Sequence, residues 1–240
     1  MNIHCIIISW ENHHQESFKI AEAVFAHVDK LSVIYSNQSE TLESGPGSWI
    51  RVPNDYFYGK KFKVALDLIA KDEVLLLIQA DANSEDWPSL IARCRLLMES
   101  NESIGVWAPD INHSSWTNER VRIAENPHQN VMFVTQTDGI VFSYNSRVLD
   151  RLRQLNYENN NLGWGIDWLA ICFAYTNDMY VIRDGSITVG HPVGSGYSSS
   201  EAQTQMNEFF LQMTPKEIIM LKLLDSFSDF NTTIFRCKDV

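Results

Sequence analysis

The chain has 240 residues, of which 45% are hydrophobic and 20% are charged, so it is long enough to bury the core of one domain. Its 19 Lys and Arg against 30 Asp and Glu give a formal net charge of −11. Because the sequence has no basic run that could displace phosphate counterions, it argues against a nucleic-acid-binding protein. No apolar run approaches the roughly 20 residues that a transmembrane helix requires.

The cysteines and the first residues predict the compartment. None of the four cysteines has a CxxC spacing, and three lie among apolar residues, so buried free thiols in a reducing compartment are expected. The first 14 residues lack the basic region of a signal peptide and predict a buried strand. We therefore expect a cytoplasmic protein. Such a protein could also bind to the inner face of the membrane. The cysteines are Cys5, Cys94, Cys172 and Cys237.

Strand and helix patterns alternate through the first half of the chain. Apolar runs of strand length are separated by segments with helical spacing, which predicts parallel strands with helices on both faces of the sheet. The predicted strands are 4–9, 31–35, 49–52, 73–79 and 103–108, and the predicted helices are 17–28, 58–69 and one that Ser84 caps.

The second half is less regular. Residues 109–130 show no periodicity and predict a hairpin or a long loop. Two strands within 131–144 precede a helix that Asn145 can cap, and a buried helix follows Asp167. The Asp184-Gly185 step predicts a hairpin turn. Thr214 to Glu217 is a capping box, so a further helix begins there.

The stretch LLLIQADANSEDW places Asp81 and Asn83 at the end of a buried strand. Residues i and i+2 of an extended chain point the same way, and ligands of open α/β sheets bind at the carboxyl ends of the strands. Two oxygen donors there predict a site for Mg²⁺ or Mn²⁺. The alternative is a turn followed by a helix N-cap.

Two later motifs add to this prediction. In Gly163-Trp164-Gly165-Ile166-Asp167 an indole that can stack on a sugar ring precedes a carboxylate that can accept a hydroxyl proton. The alternative is a core tryptophan with a helix-capping aspartate. In HPVGSGY, His191 is a nitrogen ligand in a glycine-rich loop, or a structural histidine. The first strand is followed by SWENHH, which lacks GxGxxG, so a nicotinamide-dependent enzyme is disfavoured.

The order of these motifs resembles GT-A glycosyltransferases that use nucleotide sugars, family 2 in particular. Residues 54–86 resemble the helix and strand that lead into the DxD motif of that family. GWGIDW resembles the acceptor-side motif of the family. VTQTDGIVFSYNSRVL resembles the strand and helix that precede this motif, and HPVGSGY resembles the closing histidine segment. The resemblance covers roughly residues 3–197. It departs at Asn83, where a second carboxylate is expected, and at Ile166, where an acidic pair is reduced to Asp167.

The resemblance implies an α/β protein of the GT-A type. Its Rossmann-like, mostly parallel central sheet is flanked by helices and followed by a C-terminal helical segment. The catalytic domain is expected at 1–199, with a nucleotide-binding half at about 1–108 and an acceptor-binding half at about 109–199. Residues 200–240 are expected to form a helical extension. The alternatives for the apolar stripe of this extension are packing against the core, a homodimer surface, a lid and a contact with a membrane edge.

The implied activity is metal-dependent, inverting transfer of a sugar from a nucleoside diphosphate to a hydroxyl of a glycan or glycolipid. Asp167 is the expected base. Lys60, Lys61 and Lys63 are expected on a solvated helix face, with phosphate contact as the alternative. The expected contacts are Ser9, Trp10, Asn12, Ser36, Asn37, Asp81 and Ala82 with the nucleotide sugar, Trp164, Gly165 and Asp138 with the acceptor, and Asp81, Asn83 and His191 with the cation.

Two other functions stay open. A nucleotidyltransferase also uses a carboxylate at a strand end and a metal, although it requires a basic glycine-rich loop that SWENHH does not provide. A catalytically inactive module that binds sugar or nucleotide is consistent with the replacements at Asn83 and Ile166.

Overall fold

The computed structural model describes residues 1–39, 41–192 and 197–238, with side chains as far as residue 232. Nine strands of these residues form one mixed sheet in the order β3-β2-β1-β4-β8-β5-β9-β7-β6. The strands are β1 (Asn2–Ile8), β2 (Lys30–Tyr35), β3 (Ser48–Arg51), β4 (Glu73–Gln79), β5 (Ile104–Ile111), β6 (Arg122–Asn126), β7 (Val131–Val134), β8 (Val141–Tyr144) and β9 (Tyr180–Val189).

The helices cover both faces of the sheet. They are α1 (His14–Val24), α2 (Tyr58–Leu68), α3 (Trp87–Ser100), α4 (Asn118–Val121), α5 (Ser146–Arg153), α6 (Ile166–Thr176), α7 (Ser199–Phe210) and α8 (Pro215–Lys238). In the described part of the chain, no helix is both long and apolar enough to cross a bilayer.

The predicted fold class is confirmed. Strands β3, β2, β1 and β4 are parallel neighbours, β5 pairs in parallel with β9, and only β7 and β8 run against the other strands. Alternate residues of β1 enter different cores: Ile6 and Ile8 pack in the core with α2, α5 and α6, whereas Cys5 and Ile7 pack in the core with α1 and α3. Burial on both faces explains why the central strands are continuous apolar runs.

The buried thiols are confirmed where the structure describes them. Cys5, Cys94 and Cys172 are free and buried. The side chain of Cys237 lies outside the described residues.

The C-terminal helices pack on the main core. Phe209, Met213 and Leu224 join the core with α2, α5 and α6. The predicted capping box forms, since Thr214 N donates to Glu217 Oε2 at 2.6 Å and Glu217 N donates to Thr214 Oγ1 at 3.3 Å. The Arg151 guanidinium also donates to both oxygens of Glu217, at 2.8 and 3.0 Å. This pair joins the start of α8 to α5.

Two local predictions are wrong. Asp184 and Gly185 lie within the single strand β9 rather than in a hairpin turn. Pro109 and Asp110 are consecutive residues of β5, but their partners in β9 are Asp184 and Thr188. The extra residues of β9 between these partners form a bulge. The cap of α3 is Asp86, which accepts from Ser89 N at 3.0 Å, because the chain extends two residues beyond Ser84 before it turns helical.

The irregular segment after residue 108 resolves into the hairpin alternative. Strand β5 continues to Ile111, and β6 and β7 form an antiparallel hairpin. Asn145 caps α5 as predicted, accepting from Val148 N at 3.0 Å.

Candidate active site

The carboxyl ends of β1, β2 and β4 lie side by side. Backbone hydrogen bonds continue past the strand ends, from Ser9 N to Ile34 O at 2.9 Å and from Ala80 N to Ile8 O at 3.0 Å. Ser9, Ser36, Asn37 and Ala82 are buried there. Asn12 lies in the exposed turn after β1 with a left-handed φ of 71°.

A backbone bridge brings the end of β9 to the end of β4. Asn83 N donates to Gly190 O at 2.9 Å, and Gly190 N donates to Asn83 O at 2.6 Å. His191 Nε2 therefore lies 3.3 Å from Asp81 Oδ2. The hydrogen bond to Asp81, followed by the charges of Asp81 and Asp138, raises the pKa of His191, although burial opposes this. Residues 193–196 of the same predicted motif lie outside the described residues.

Four buried polar atoms at this edge have no hydrogen-bond partner among the described residues. They are His13 Nδ1, His14 Nε2, Asn37 Oδ1 and Asp81 Oδ1. Buried side-chain polar atoms in folded proteins are almost always paired. The cluster spans the ends of β1, β2 and β4, so this edge has the properties of a polar ligand site.

The donors fit a divalent cation in part. Asp81 and His191 offer a carboxylate and an imidazole, and Asp81 Oδ1 is buried and unpaired. The side chain of Asn83 is exposed, and only its backbone joins the bridge to Gly190. No set of three or more His, Cys, Asp or Glu within the described ranges is arranged to hold a metal. A cation here would therefore take its other ligands from amide, phosphate or water oxygens.

Lys61 differs from the prediction for its helix face. It is 1% exposed, and its Nζ donates to Ser9 O at 2.6 Å. Burial lowers its pKa to about 8. The side chain reaches from α2 under the end of β1, which a KKFK pattern does not reveal. Lys61 thus places a buried cation behind the candidate ligand site.

The acceptor-side motif is a tight loop before α6. Gly163 and Gly165 both have left-handed backbone, with φ of 80° and 88°. A Cβ at Gly163 would lie 2.2 Å from a ring atom of Tyr58, and one at Gly59 would lie 1.8 Å from Asn160 O. The loop therefore rests directly on the start of α2, and it carries the half-buried Trp164 between the two glycines.

An aromatic row joins the two halves of the edge. The ring of Trp10 stacks near Phe57 at a centroid distance of 6.4 Å, and Phe57 meets Tyr197 edge-on at 5.5 Å. Trp164 Nε1 donates to Tyr197 Oη at 2.8 Å. Sequence reasoning missed Phe57, because the aromatic residues around it gave no periodic signal.

Asp167 lies in the first turn of α6. Its Oδ2 accepts from Gln136 Nε2 at 3.0 Å, and its Oδ1 accepts from Trp168 N at 2.9 Å. Burial and the charge of Asp138 raise its pKa to about 6, against the effect of these hydrogen bonds. Gln136 is fully buried and was also missed, since one glutamine between two threonines gives no sequence signal.

Asp138 reaches the edge because β8 is antiparallel. The register of β8 places Val141 opposite Ile78, and Gln79 N donates to Ile140 O at 2.9 Å. The segment that leads into β8, which includes Asp138, thus lies at the same edge as the residues that follow β4. The charge of Asp138 acts on both Asp167 and His191, so Asp138 lies near both of these residues.

Comparison with known proteins identifies the fold. No family model matches the sequence, and no curated protein matches it. GalNAc-T7 with UDP, GalNAc and Mn²⁺ superposes with a TM-score of 0.66 at 10% identity, over 90% of this chain and 49% of that one. The chain thus spans about half the length of that structure.

Two further solved structures are similar over nearly their whole length. CMP:2-keto-3-deoxy-manno-octonic acid synthetase complexed with CTP has a TM-score of 0.53 at 12% identity, over 88% of this chain and 99% of that one. UTP-bound UGPase from Acinetobacter baumannii has a TM-score of 0.54 at 9% identity, over 93% and 99%. The chain therefore has a GT-A-like Rossmann fold.

Proposed function

We propose that the protein transfers a sugar from a nucleoside diphosphate to a hydroxyl of a glycan or glycolipid. The observation that carries this proposal is the pairing of two different acidic sites along one edge of the sheet. Asp81 lies with His191 beside buried polar atoms that have no partner among the described residues, and Asp167 lies in a desolvated position near the charge of Asp138. In glycosyl transfer, one such site holds the leaving diphosphate and the other takes a proton from the acceptor.

The donor would bind across the ends of β1, β2 and β4. Its contacts would be Ser9, Trp10, Asn12, Ser36, Asn37 and Ala82. Asp81 and His191, with the side-chain amide oxygen of Asn83, would hold Mg²⁺ or Mn²⁺. As a Lewis acid, this cation would neutralise charge on a leaving diphosphate. The buried cation of Lys61 also favours an anionic ligand, which offsets the acidity of the chain.

The acceptor would lie between Trp164 and Asp167. The half-buried indole would supply an apolar face for a sugar ring, and Gly165 and Asp138 would also contact the acceptor. Asp167 would remove the proton of the acceptor hydroxyl as the oxygen attacks the anomeric carbon from the face opposite the diphosphate, which inverts that carbon. A carboxylate with a pKa near 6 is a stronger base than an ordinary one and is still ionised at neutral pH. Under this proposal residues 1–108 bind the donor and residues 109–199 bind the acceptor.

Nucleotidyl transfer is the second candidate. It is favoured by the similarity to CTP-bound and UTP-bound structures over 99% of their lengths. In that reaction the edge would hold a nucleoside triphosphate and release pyrophosphate.

The test is to incubate the protein with a panel of nucleotide sugars, with acceptor glycans and either Mg²⁺ or Mn²⁺, and to measure release of nucleoside diphosphate. Parallel reactions with nucleoside triphosphates and sugar 1-phosphates measure pyrophosphate. Release of nucleoside diphosphate that requires an acceptor would support sugar transfer. Release of pyrophosphate would instead support nucleotidyl transfer and contradict sugar transfer. Binding without either product, seen as a thermal shift, would make the protein a non-catalytic binding module.

A further inference from the structure

Helix α8 has a second apolar face that the domain does not cover. Its inner face buries Glu217, Leu224 and Ser228 against the rest of the protein. The opposite face exposes four large apolar side chains: Ile219 at 60%, Leu223 at 59%, Phe227 at 37% and Phe230 at 62%. Single exposed apolar residues are ordinary, but a stripe along one helix is typical of an interaction surface.

The spacing of this outer stripe follows a coiled-coil seam. Ile219, Leu223, Ser226 and Phe230 are separated by four, three and four residues, the a/d pattern that pairs two helices. Ser226 is exposed near the middle of the stripe. A small residue at that point allows two helices to approach closely.

The charges beside the stripe select an antiparallel partner. Lys222 and Asp229 are seven residues apart, so they flank the seam on the same side, and both are exposed. In an antiparallel pair of identical helices, this flank faces the same flank of the other copy, and Lys222 of each copy meets Asp229 of the other. A parallel pair would instead set Lys222 against the position of Phe227.

We propose that the outer face of α8 binds the same face of a second copy of this chain, in an antiparallel pair with a two-fold axis between Leu224 and Asp225. The layers of the seam are then Leu223 with Ser226 and Ile219 with Phe230. On the side away from the charges, Phe227 of each copy meets Met220 of the other, which is half-buried against the core of its own chain. The interface is isologous, as a two-fold dimer requires.

The charge balance favours a second copy over a membrane surface. The exposed side of α8 carries Lys216 and Lys222 as well as Asp225 and Asp229, so it has no excess of basic charge, and the chain has a net charge of −11. An anionic bilayer attracts basic helices, which this one is not. A pair of helices alone buries less than a standard interface of about 800 Å² per partner, so we expect a weak dimer with a micromolar Kd.

The test is sedimentation velocity of the full chain over a micromolar concentration series at low salt. Lys222→Asp places like charges together twice in the dimer and should raise its Kd about tenfold or more, since close ion pairs across an interface govern affinity and specificity. Asp229→Lys should act similarly, although Asp229 also lies 3.6 Å from Arg120 within its own chain. The double variant restores opposite charges and should recover the dimer.

Lys19→Asp in α1, on the other face of the sheet, is the matched control and should leave the Kd unchanged. A chain that is monomeric throughout the series overturns the proposal, as does a dimer indifferent to Lys222→Asp. Sedimentation with phosphatidylcholine and phosphatidylserine vesicles tests whether a lipid bilayer covers the outer face of α8 instead of a second copy. A monomer that binds them, and loses that binding in Leu223→Asp, would assign the face to lipid and overturn the dimer.

Discussion

His191 Nε2 and Asp81 Oδ2 lie 3.3 Å apart, although Asp81 follows β4 and His191 follows β9, two strands that are not neighbours in the sheet. The backbone bridge between Asn83 and Gly190 fixes this approach. The other oxygen of Asp81 is buried and has no hydrogen-bond partner in the part of the chain that the structure describes. An ion pair of purely structural value would not require that second oxygen to forgo a partner, so the arrangement favours a bound ligand.

Asp81→Ala should abolish the enhancement of nucleotide binding by Mg²⁺ or Mn²⁺, because it removes the carboxylate from the proposed cation site. Calorimetric titration of a nucleotide with and without the cation measures this effect. Asp86→Ala is the matched control, since that residue lies on the same loop and caps α3. It should lose the stabilising N-cap of α3 and retain the cation effect. Equal cation dependence in Asp81→Ala and the native protein would contradict the metal proposal.

Asn83→Asp should tighten Mn²⁺ binding. The side chain is exposed at the same strand end as Asp81, and a second carboxylate adds charge to the proposed site without disturbing the backbone bridge. Isothermal titration of Mn²⁺ into the nucleotide complex provides the measurement. An unchanged Mn²⁺ affinity would mean that the exposed side chain points away from the cation.

Asp167→Asn should lower the rate of transfer by about 10² to 10⁴, the usual contribution of a general base, and leave the donor Kd within a few-fold. In the native protein the rate should rise with pH through about 6, because Asp167 is protonated and inactive below that value. This acidic limb should be absent from the residual activity of Asp167→Asn. A donor Kd that collapses together with the rate would place Asp167 in the donor site instead.

Asp138→Asn is a companion variant with a different readout. The negative charge of Asp138 raises the pKa of Asp167, so its removal should move the acidic limb of the rate profile to lower pH. A limb that stays in place would show that another group controls it.

Lys61→Met should weaken nucleotide binding about tenfold, since a unit charge several ångströms from an anion contributes on the order of 1 kcal/mol at an effective dielectric constant of ~20. In the native protein, binding should weaken as pH rises through about 8, where Lys61 loses its proton. Lys63→Met is the control from the same helix, because Lys63 pairs with Asp67 at the surface. If both variants bind equally well, Lys61 only supports the backbone of Ser9.

Glu217→Gln should destabilise the protein by roughly 3 kcal/mol, because it leaves the Arg151 guanidinium buried without its counter-ion. Although burial alone would raise the pKa of Glu217, its bonds to Arg151 and Thr214 hold that pKa below its usual value. The stabilisation is therefore present above about pH 4.5 and is lost as pH falls through the folded-state pKa. Thermal denaturation at neutral and acidic pH measures this loss.

Glu208→Gln, on the exposed face of α7, should change stability by less than about 0.5 kcal/mol and serves as the control. A Glu217→Gln protein as stable as this control would mean that the pair with Arg151 contributes nothing to the docking of α8.

The sequence predicts the sheet and its edge because both depend on local patterns. Apolar runs gave β4 its observed bounds, and Thr214 and Glu217 gave the start of α8. The Asp184-Gly185 step misled because the same dipeptide suits a turn and a bulge, and only pairing with β5 decides between them. Lys61 could not be predicted, since its burial depends on where β1 ends in space. Gln136 is similar, because its partner Asp167 comes from a distant helix.

Under the proposed function, the contact at Gly59 limits how this protein can change its acceptor preference. Asn160 O occupies the place where any larger residue at position 59 would begin, and Gly59 N also donates to Asn161 O at 2.8 Å. The spacing between α2 and the loop that carries Trp164 is therefore set by backbone against backbone. Selection for a larger or smaller acceptor would have to act on side chains of this loop, such as the half-buried Trp164, and leave this spacing fixed. Libraries built to redirect specificity should accordingly vary the aromatic row and keep position 59 as glycine.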